Sequence, residues 1–446
     1  MNRTMDEAAV RKDALHPLLS SYIGNHRTSL PTPSLCLSLP TIKRNCDIFL
    51  KSLHGLDIGF RAHVKTHKTI EVTRMELGSD YHAVVTSTIR EIRGLKPLID
   101  DGTVTDVLYG LPPAASYIPT LSSLSREIPN LRLIVDHVSQ LEALTRLPPL
   151  CGKPWSIFIK IDCGYHRAGV SAGSPDFIDL LSAVLSSKSV DIYGFYAHAG
   201  DSYGASNEKD SVKYLKCEIQ AVLEAVRSLI NFVKPGDIYD EDVDEKPYVL
   251  SVGATPTAHV ISILKEEGEG LFDIPKNCKI EVHAGNFPFN DLQQLATGVV
   301  PDPDPDVPGS SSLACTVNAE VVSIYEGPWR NEALINAGVL AIGREPGQLP
   351  GYARIRGLEK FIVGRVSQEH GVLTFDKRKP DTNLNFQDRD PFQEDGVNIH
   401  EVLKIGDRVV LDVQHACVTA ACHDWYFILN EEDIVTDVWY PWRGWM

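Results

Sequence analysis

Residues 61–68 read RAHVKTHK, an apolar run that ends in a lysine with a histidine two places to either side of it. The run is the first of eight short segments rich in β-branched and aromatic residues, which alternate with longer segments of helical periodicity. This alternation is typical of repeated βα units. The predicted strands cover residues 61–65, 82–87, 106–110, 131–136, 156–162, 191–198, 248–253 and 279–285.

Eight parallel strands with intervening helices predict an α/β fold, the (β/α)₈ TIM barrel, whose active site lies at the carboxyl ends of the strands. Polar side chains follow several of the predicted strands. They are Lys65, Asp162, Arg167, His198 and Tyr203. Strand ends without a function would carry mainly turn residues. These polar side chains therefore favour an active site at the carboxyl ends of the barrel strands.

The chain changes in character after the eighth predicted strand. Residues 301–312, PDPDPDVPGSSS, read as a linker or exposed loop, and the segments beyond them read as strands without regular helices between them. We expect the barrel to occupy residues 30–300, and a smaller β-rich domain to consist of residues 310–446 with the N-terminal segment 1–29. Residues 376–398 are polar and irregular, which predicts a surface insertion in the second domain.

Composition and charge exclude several classes of function. Of the 446 residues, 43 are Lys or Arg and 59 are Asp or Glu, so the net charge is −16, and no basic run favours a nucleic-acid partner. Because no signal-peptide-like or membrane-spanning apolar run is visible, we expect a cytoplasmic protein with no membrane partner. The nine cysteines, an odd number, favour reduced thiols over a disulfide framework.

Lys65 is the candidate nucleophile. In an extended segment His63, Lys65 and His67 share one face, because side chains alternate along a strand. Neighbouring cationic groups and desolvation in a barrel mouth favour the neutral amine, which is the form that attacks a carbonyl. Lys65 is therefore a plausible Schiff-base lysine. The octapeptide alone better fits the other interpretation, an exposed basic strand end that binds an anion or water.

Two loops are candidates for binding a phosphate. SVGATPT (251–257) follows the seventh predicted strand and AGN (284–286) follows the eighth, where barrels commonly hold phosphate groups. The loops carry hydroxyl groups and glycines that let backbone amides approach: Ser251, Thr255, Thr257, Gly253 and Gly285. Each loop alone also has the composition of an ordinary turn. A lysine after strand one with a phosphate site after strands seven and eight is the arrangement that pyridoxal 5′-phosphate requires.

The segment QHACVTAACHDW (414–425) contains candidate metal ligands. His415 and Cys417 lie two residues apart on a predicted strand, so both donors would face one way, and imidazole with thiolate favours zinc. Three interpretations stay open. Cys422 and His423 complete a closed structural site, or only two protein ligands bind and water and substrate take the open positions, or His415 is a hydrogen-bonded core residue beside a small buried cysteine.

Together these motifs resemble the fold-type III pyridoxal-phosphate enzymes of the alanine racemase superfamily, and within it the eukaryotic zinc-dependent D-serine dehydratases, which are relatives of the D-threonine aldolases. HAC separates the two subfamilies, because the aldolases carry a carboxylate where Cys417 stands. The matching motifs cover most of the chain: TPSLCLSL (32–39), RAHVKTHKT (61–69), DVLYGLPP (106–113), KIDCGYHRAGV (160–170), FYAHAGDSY (195–203), SVGATPT (251–257), GNFPFND (285–291), SQEHG (367–371), HAC (415–417) and VWYPWRGW (438–445).

The resemblance implies a role for each candidate. Lys65 carries the cofactor as a Schiff base, and His415 with Cys417 binds Zn²⁺. It also implies a homodimer in which the β domain of one subunit closes the barrel mouth of the other, so that the active site lies at the interface. The residues expected to contact pyridoxal phosphate are Lys65, Arg167 near the phenolate oxygen, Tyr196, His198 against the ring, Tyr203, and Ser251, Thr255, Gly285 and Asn286 around the phosphate.

Three positions depart from the resemblance. His283 stands where alanine racemase offers an arginine to the pyridine nitrogen, which questions full protonation of the ring. Asn336 replaces an aspartate common among relatives, and Phe287 replaces a tyrosine that is common after GN. The last two replacements could alter the choice of substrate without changing the chemistry.

The resemblance predicts a lyase that converts a small D-β-hydroxy amino acid, D-serine, into pyruvate and ammonia. Lys65 would remove the α-proton, and zinc at His415 and Cys417 would ease departure of the β-hydroxyl group. D-threonine aldolase and D-3-hydroxyaspartate dehydratase are alternatives on the same fold. A non-catalytic carrier of pyridoxal phosphate is the alternative from another class, and the second domain and the HAC motif argue against it.

Overall fold

The computed structural model describes residues 17–233, 246–263, 272–301, 311–327, 330–376 and 398–446. The predicted insertion, apart from its two end residues, and most of the predicted linker lie outside these residues. The described chain forms two compact units. One contains the residues up to Asn45 and from Pro288 to Pro441, and the other contains Cys46 to Phe287 and Trp442 to Met446.

Strand β1 (Ser34–Ser38) and helix α1 (Leu39–Leu53) precede a closed parallel barrel. The barrel closes where β2 pairs with β9, with Arg61 opposite His283. All eight predicted strands are present, and the predicted (β/α)₈ barrel is confirmed. The strands are β2 (Gly59–His63), β3 (Ala83–Thr86), β4 (Asp106–Tyr109), β5 (Asn130–Val135), β6 (Trp155–Ile161), β7 (Val190–Ala197), β8 (Tyr248–Val252) and β9 (Cys278–Ala284).

Helices follow the barrel strands, and polar residues begin several of them. Thr88, Ser174 and Asn207 each accept a hydrogen bond from a backbone N–H in the first turn of the helix that follows. The helices are α2 (Ile70–Leu77), α3 (Ile89–Gly94), α4 (Lys96–Asp100), α5 (Ile118–Leu124), α6 (Val138–Arg146), α7 (Pro175–Leu185), α8 (Glu208–Phe232) and α9 (Thr255–His259).

The interior of the barrel contains both apolar and charged side chains. A buried cluster of side chains from alternate positions fills the middle: Val85, Leu108, Ile134, Phe158 and Tyr196. Arg61 is fully buried on β2 and forms ion pairs with Asp106 of β4 and Glu281 of β9. These charged groups link three strands across the interior.

The second unit is a nine-stranded sheet in the order β11-β14-β13-β12-β15-β10-β1-β16-β17, with a further pairing of β11 to β10. All of its pairings are antiparallel except that of β1 with β16. The strands are β10 (Cys315–Tyr325), β11 (Glu332–Ile335), β12 (Ala353–Ile355), β13 (Leu358–Val366), β14 (Gly371–Phe375), β15 (Arg408–Val413), β16 (Tyr426–Leu429) and β17 (Val435–Trp439).

The β-rich second domain is therefore present, and its described residues after Pro288 include the short helices α10 (Leu292–Leu295), α11 (Val339–Ile342), α12 (Ile399–Val402) and α13 (Ala416–Ala421). The barrel unit begins later in the chain than residue 30, because β1 pairs with β10 and β16 of this sheet. All nine cysteines are free thiols. Among the described helices, none combines the length and the apolar character that crossing a membrane would require.

The close approach of β7 to β8 gives a test of the barrel. A Cβ atom at Gly194 would lie 1.9 Å from the carbonyl oxygen of Val249, which is backbone and cannot move aside without breaking the ladder. We expect Gly194→Ala to destabilise the barrel by about 1–3 kcal/mol or more, as overpacking of a core does. Urea unfolding followed by circular dichroism measures the loss.

Gly204→Ala is the matched control, because an added Cβ there meets no atom within 4 Å. Its unfolding midpoint should equal that of the unaltered protein. Equal midpoints for Gly194→Ala and Gly204→Ala would contradict the described packing of β7 against β8.

Candidate active site

Lys65 lies in a turn and not on a strand. Strand β2 ends at His63, and the N–H of Lys68 donates to the carbonyl oxygen of Val64 at 2.9 Å, which turns the chain. Lys68 has a positive φ of 54°. The prediction that the strand continues through Lys65, so that His63, Lys65 and His67 share a face, is therefore wrong. The turn still places Lys65 immediately after the first barrel strand.

Two other basic residues of the octapeptide anchor this turn. His67 is fully buried, and its Nδ1 atom accepts the N–H of Thr69 at 3.1 Å. Nε2 therefore carries the proton and donates to the carboxyl group of Glu76 at 3.0 Å. Lys68 forms an ion pair with the buried carboxylate of Glu91. Both residues are thus engaged away from any ligand, and Lys65 is left as the candidate nucleophile.

Two partly buried histidines lie near Lys65. Removal from water, together with the charge of Lys65, holds the pKa of His63 well below its ordinary value and lowers the pKa of His198 to about 3. Nδ1 of His198 lies 2.7 Å from the carbonyl oxygen of Gly253, which can only accept, so Nδ1 carries the proton. Both imidazole rings are therefore neutral at physiological pH.

The loops after β8 and β9 meet as the sequence predicts. The N–H of Asn286 donates to the hydroxyl group of Thr255 at 3.2 Å. The hydroxyl group of Thr257 instead accepts the N–H of Ala254 at 2.8 Å and caps α9. Thr255 and Asn286 therefore form the part of the candidate phosphate site that joins the two loops.

Both glycines of these loops are required by close backbone approach. A Cβ at Gly253 would lie 2.2 Å from the carbonyl oxygen of His283, and Gly253 also has a φ of +143°. A Cβ at Gly285 would lie 2.0 Å from the carbonyl oxygen of His63. The second contact brings the end of β9 against the end of β2, so the loop that carries Asn286 adjoins the turn that carries Lys65.

Ser251 contacts side chains inside the barrel, although the sequence predicts that it contacts the phosphate group. Its hydroxyl group donates to Glu281 at 2.8 Å and lies 3.1 Å from Nδ1 of His283. The ring of His283 stacks on the ring of Tyr196, with centroids 4.0 Å apart and planes 14° apart. Ser251 is thus joined to the inner wall of the barrel, and Tyr196 and His283 form an aromatic surface on that wall.

Arg167 and Tyr203 lie outside the strands. The guanidinium group of Arg167 lies 5.1 Å from the ring centroid of Tyr165, and its charge contributes to the lowered pKa of His198. Tyr203 lies in the single-turn helix Gly200–Gly204 that follows β7. Both therefore belong to the carboxyl end of the barrel, where the sequence places them.

Sequence reasoning missed five buried charged residues on barrel strands: Arg61, Asp106, Arg132, Lys160 and Glu281. Burial and the charge of Arg167 lower the pKa of Lys160 to about 8, and its Nζ lies 4.7 Å from the ring centroid of Tyr196. A charged residue inside an apolar strand, as in SIFIKID and KIEVHAG, was the available signal. Such residues are almost never buried without a partner.

His415 and Cys417 lie at the start of a helix. His415 precedes α13 and Cys417 is in its first turn, so the predicted strand is wrong. The two side chains are nevertheless within hydrogen-bond reach of each other. Asp291 fixes this arrangement, because it accepts the N–H of Ala416 at 2.8 Å and the N–H of Gln294 at 2.8 Å.

The surroundings of His415 favour a cation. Burial lowers its pKa, but the charges of Cys417 and Asp291 outweigh this effect and raise the pKa to about 10. Glu345 lies 3.4 Å from Nδ1. Adjacent imidazole and sulfur donors in a negative environment fit a zinc ion. His415 is only partly buried, which does not suit the interpretation as a core residue.

The side chains of Cys422 and His423 form hydrogen bonds with backbone carbonyl oxygens. The thiol of Cys422 donates to the carbonyl oxygen of Val418 at 3.4 Å, and Nε2 of His423 lies 2.8 Å from the carbonyl oxygen of Ala341. Within the described part of the chain, no three or more His, Cys, Asp and Glu side chains are grouped so as to hold a metal ion. Because Cys422 and His423 contact these carbonyl oxygens, the two-ligand interpretation fits better than a closed structural site.

Comparison with known proteins agrees with this geometry. The family model "Alanine racemase, N-terminal domain" matches residues 37–236, and the model "Putative serine dehydratase domain" matches residues 314–429. The solved D-threo-3-hydroxyaspartate dehydratase from Delftia sp. HT23 has the same fold, with a TM-score of 0.74 at 24% identity over 94% of this chain and 100% of its own. A cysteine-to-alanine mutant of D-threo-3-hydroxyaspartate dehydratase has been solved in a metal-free form.

Two relatives match over nearly their full lengths. The D-serine dehydratase of Schizosaccharomyces pombe is 39% identical over 96% of this chain and 95% of its own. The D-serine dehydratase of Saccharomyces cerevisiae is 35% identical over 96% of this chain and 99% of its own. The chain belongs to the D-serine dehydratase family, whose barrel is of the alanine racemase type.

Proposed function

We propose that this protein converts D-serine into pyruvate and ammonia, with pyridoxal 5′-phosphate and zinc as its cofactors. One observation carries the proposal. Lys65 follows the first barrel strand beside two neutral histidines, and the joined loops after the last two strands adjoin it through the contact of Gly285 with His63. Membership of the D-serine dehydratase family supports the choice of substrate.

The residues of the barrel fit pyridoxal phosphate. The amine of Lys65 can bind its aldehyde, and the amides and hydroxyl group around Thr255, Gly285 and Asn286 suit its phosphate. When bound, pyridoxal phosphate supplies an electron sink for negative charge at the substrate α-carbon.

Lys65 has the second role of moving a proton. With pyridoxal phosphate and substrate bound, the amine Nζ of Lys65 would take the proton from the α-carbon of the substrate as a general base. His198 holds its single proton at Nδ1 on the carbonyl oxygen of Gly253, so its ring plane is fixed. The lowered pKa values of His198 and His63 leave both rings neutral at physiological pH, so neither ring offers a positive charge to the carboxylate of the substrate.

His415 and Cys417 would hold the metal ion. Zinc in this place supplies a Lewis acid for the departure of the β-hydroxyl group, since hydroxide is a poor leaving group. Asp291 orients the pair by holding the start of α13. The metal-free form of a mutant relative supports metal binding in that protein. The identity of the metal, the homodimer and the cytoplasmic location stay predictions.

The substrate is tested with a panel of D- and L-β-hydroxy amino acids. We expect pyruvate and ammonia from D-serine, with kcat/KM at least tenfold higher than for D-threonine or D-3-hydroxyaspartate, and no reaction with L-serine. Product identification separates the alternatives. Glycine with acetaldehyde would indicate an aldolase, oxaloacetate would indicate a hydroxyaspartate dehydratase, and no turnover with the whole panel would indicate a carrier.

The anchor lysine is tested by the matched pair Lys65→Arg and Lys68→Arg. An arginine keeps the charge but cannot form a Schiff base, because it stays protonated. Borohydride reduction followed by peptide mass spectrometry should find the cofactor on Lys65 and lose it in Lys65→Arg, with activity reduced by about 10²–10⁴-fold or more. Lys68→Arg keeps its ion pair with Glu91 and should keep the label. A label on residue 68 would refute the assignment.

The metal pair is tested by Cys417→Ser, with Cys422→Ser as its control. Losing a ligand should weaken zinc binding by about 100-fold or more, since losing even an outer partner of a ligand costs 10–100-fold. Chelator competition with metal analysis measures the affinity. Cys422 donates to backbone carbonyl oxygens, so its replacement should leave zinc affinity unchanged. Full-rate dehydration by metal-free protein with its cofactor still bound would exclude the metal from the reaction.

A further inference from the structure

We propose that Arg61, Glu281 and Ser251 act as positioning residues that fix the proton of His283 on Nδ1. The other ring nitrogen, Nε2, is then a buried hydrogen-bond acceptor. It accepts the N–H of a protonated heteroaromatic ring that binds in the barrel. The identity of that ring as pyridinium rests on the proposed function. The state of His283 itself does not, because it follows from hydrogen bonds within the chain.

The chain of contacts begins at Arg61. Its guanidinium group is fully buried and donates to both carboxylate oxygens of Glu281, from Nε to Oε1 at 2.8 Å and from Nη2 to Oε2 at 3.1 Å. Nη1 donates to Asp106 at 2.6 Å. A carboxylate paired in this way with a permanent cation stays ionised. Glu281 can therefore accept hydrogen bonds but cannot donate one.

The hydroxyl group of Ser251 lies between Glu281 and His283 and determines which nitrogen of His283 carries the proton. Its hydroxyl group has one proton, and the proton points to Oε1 of Glu281 at 2.8 Å. The same oxygen lies 3.1 Å from Nδ1 of His283, so in this second contact it can only accept. Nδ1 therefore carries a proton. The opposite polarity would place two lone pairs against each other.

His283 has no second proton. Burial lowers the pKa of its ring well below the ordinary value, and the nearby charged and titratable groups, His198 foremost, act in the same direction. With Nδ1 protonated and the ring neutral, Nε2 carries a lone pair. Among the described residues this buried atom has no hydrogen-bond partner. Tyr196, stacked at 4.0 Å, fixes the plane in which the lone pair points.

An unpartnered buried acceptor indicates a missing donor. Buried polar groups in folded proteins are usually paired, because an unsatisfied group has lost its hydrogen bonds to water without replacing them. A ring nitrogen that carries a proton would satisfy Nε2, whereas a bare ring nitrogen would repel it. His283 thus favours the protonated ring, contrary to the expectation from the sequence that replacing an arginine by histidine weakens protonation.

The state of His283 is measured in the cofactor-free full-length protein by long-range ¹H–¹⁵N correlation of ¹⁵N-labelled histidine. The expected result is a neutral ring with Nδ1 in the protonated range and Nε2 in the unprotonated range. In Ser251→Ala the acceptor for Nδ1–H is gone, so we expect the Nε2–H form to become populated. An Nε2–H ring in the unaltered protein overturns the proposal.

Two further variants separate positioning from folding. Glu281→Ala frees the Ser251 proton to donate to Nδ1, so the Nε2–H form should again appear. Asp106→Asn breaks a neighbouring ion pair of Arg61 but leaves the contacts of Glu281 and Ser251, and should keep Nδ1–H. Circular dichroism checks the folding of each variant. A His283 spectrum that is identical in Ser251→Ala, Glu281→Ala and Asp106→Asn also overturns the proposal.

The link to the cofactor has a separate readout. Protein loaded with ring-¹⁵N pyridoxal phosphate should show a protonated ring nitrogen at pH 8, and Ser251→Ala should shift its titration to lower pH. Failure of the loaded protein to bind the cofactor would count against the proposed function, while the result on His283 in the cofactor-free protein would stand. A ring nitrogen that is unprotonated in the unaltered protein overturns the role of Nε2.

Discussion

The barrel depends on one buried cation. Arg61 has no contact with water and is held by carboxylates from β4 and β9, so it ties together strands on both sides of the point where the barrel closes. Removing one partner of such a group typically costs 3–5 kcal/mol, because a buried charge is left uncompensated. The same guanidinium group donates to both carboxylate oxygens of Glu281. Arg61 therefore both stabilises the closed barrel and sets the direction of the hydrogen bonds on its inner wall.

The position of Lys65 follows from how the chain leaves β2. The strand stops at His63, Gly285 brings the end of β9 against that residue, and His67 with Lys68 holds the turn through buried carboxyl groups. The basic side chains of the octapeptide thus have different roles. The first basic residue is buried inside the barrel, two others stabilise the turn, His63 is a neutral neighbour, and Lys65 is presented for chemistry.

The second unit uses a similar principle with different groups. Asp291 accepts two backbone N–H groups, and this places His415 and Cys417 together although they lie on a helix start and not on a strand. A carboxylate near the donors also draws positive charge to the imidazole ring. The donor pair is therefore organised by backbone hydrogen bonds.

Periodicity and turn residues are local properties, so they were enough to predict the eight barrel strands, the β-rich second domain and the motifs that carry Lys65, Thr255, His415 and Cys417. Three-dimensional contacts were needed to find that Lys65 lies in a turn, that α13 carries Cys417, and that the hydroxyl group of Ser251 contacts His283. These outcomes depend on contacts such as that of Arg61 with Glu281, which lie 220 residues apart. No local pattern records which buried charges meet, since that follows from how the strands close.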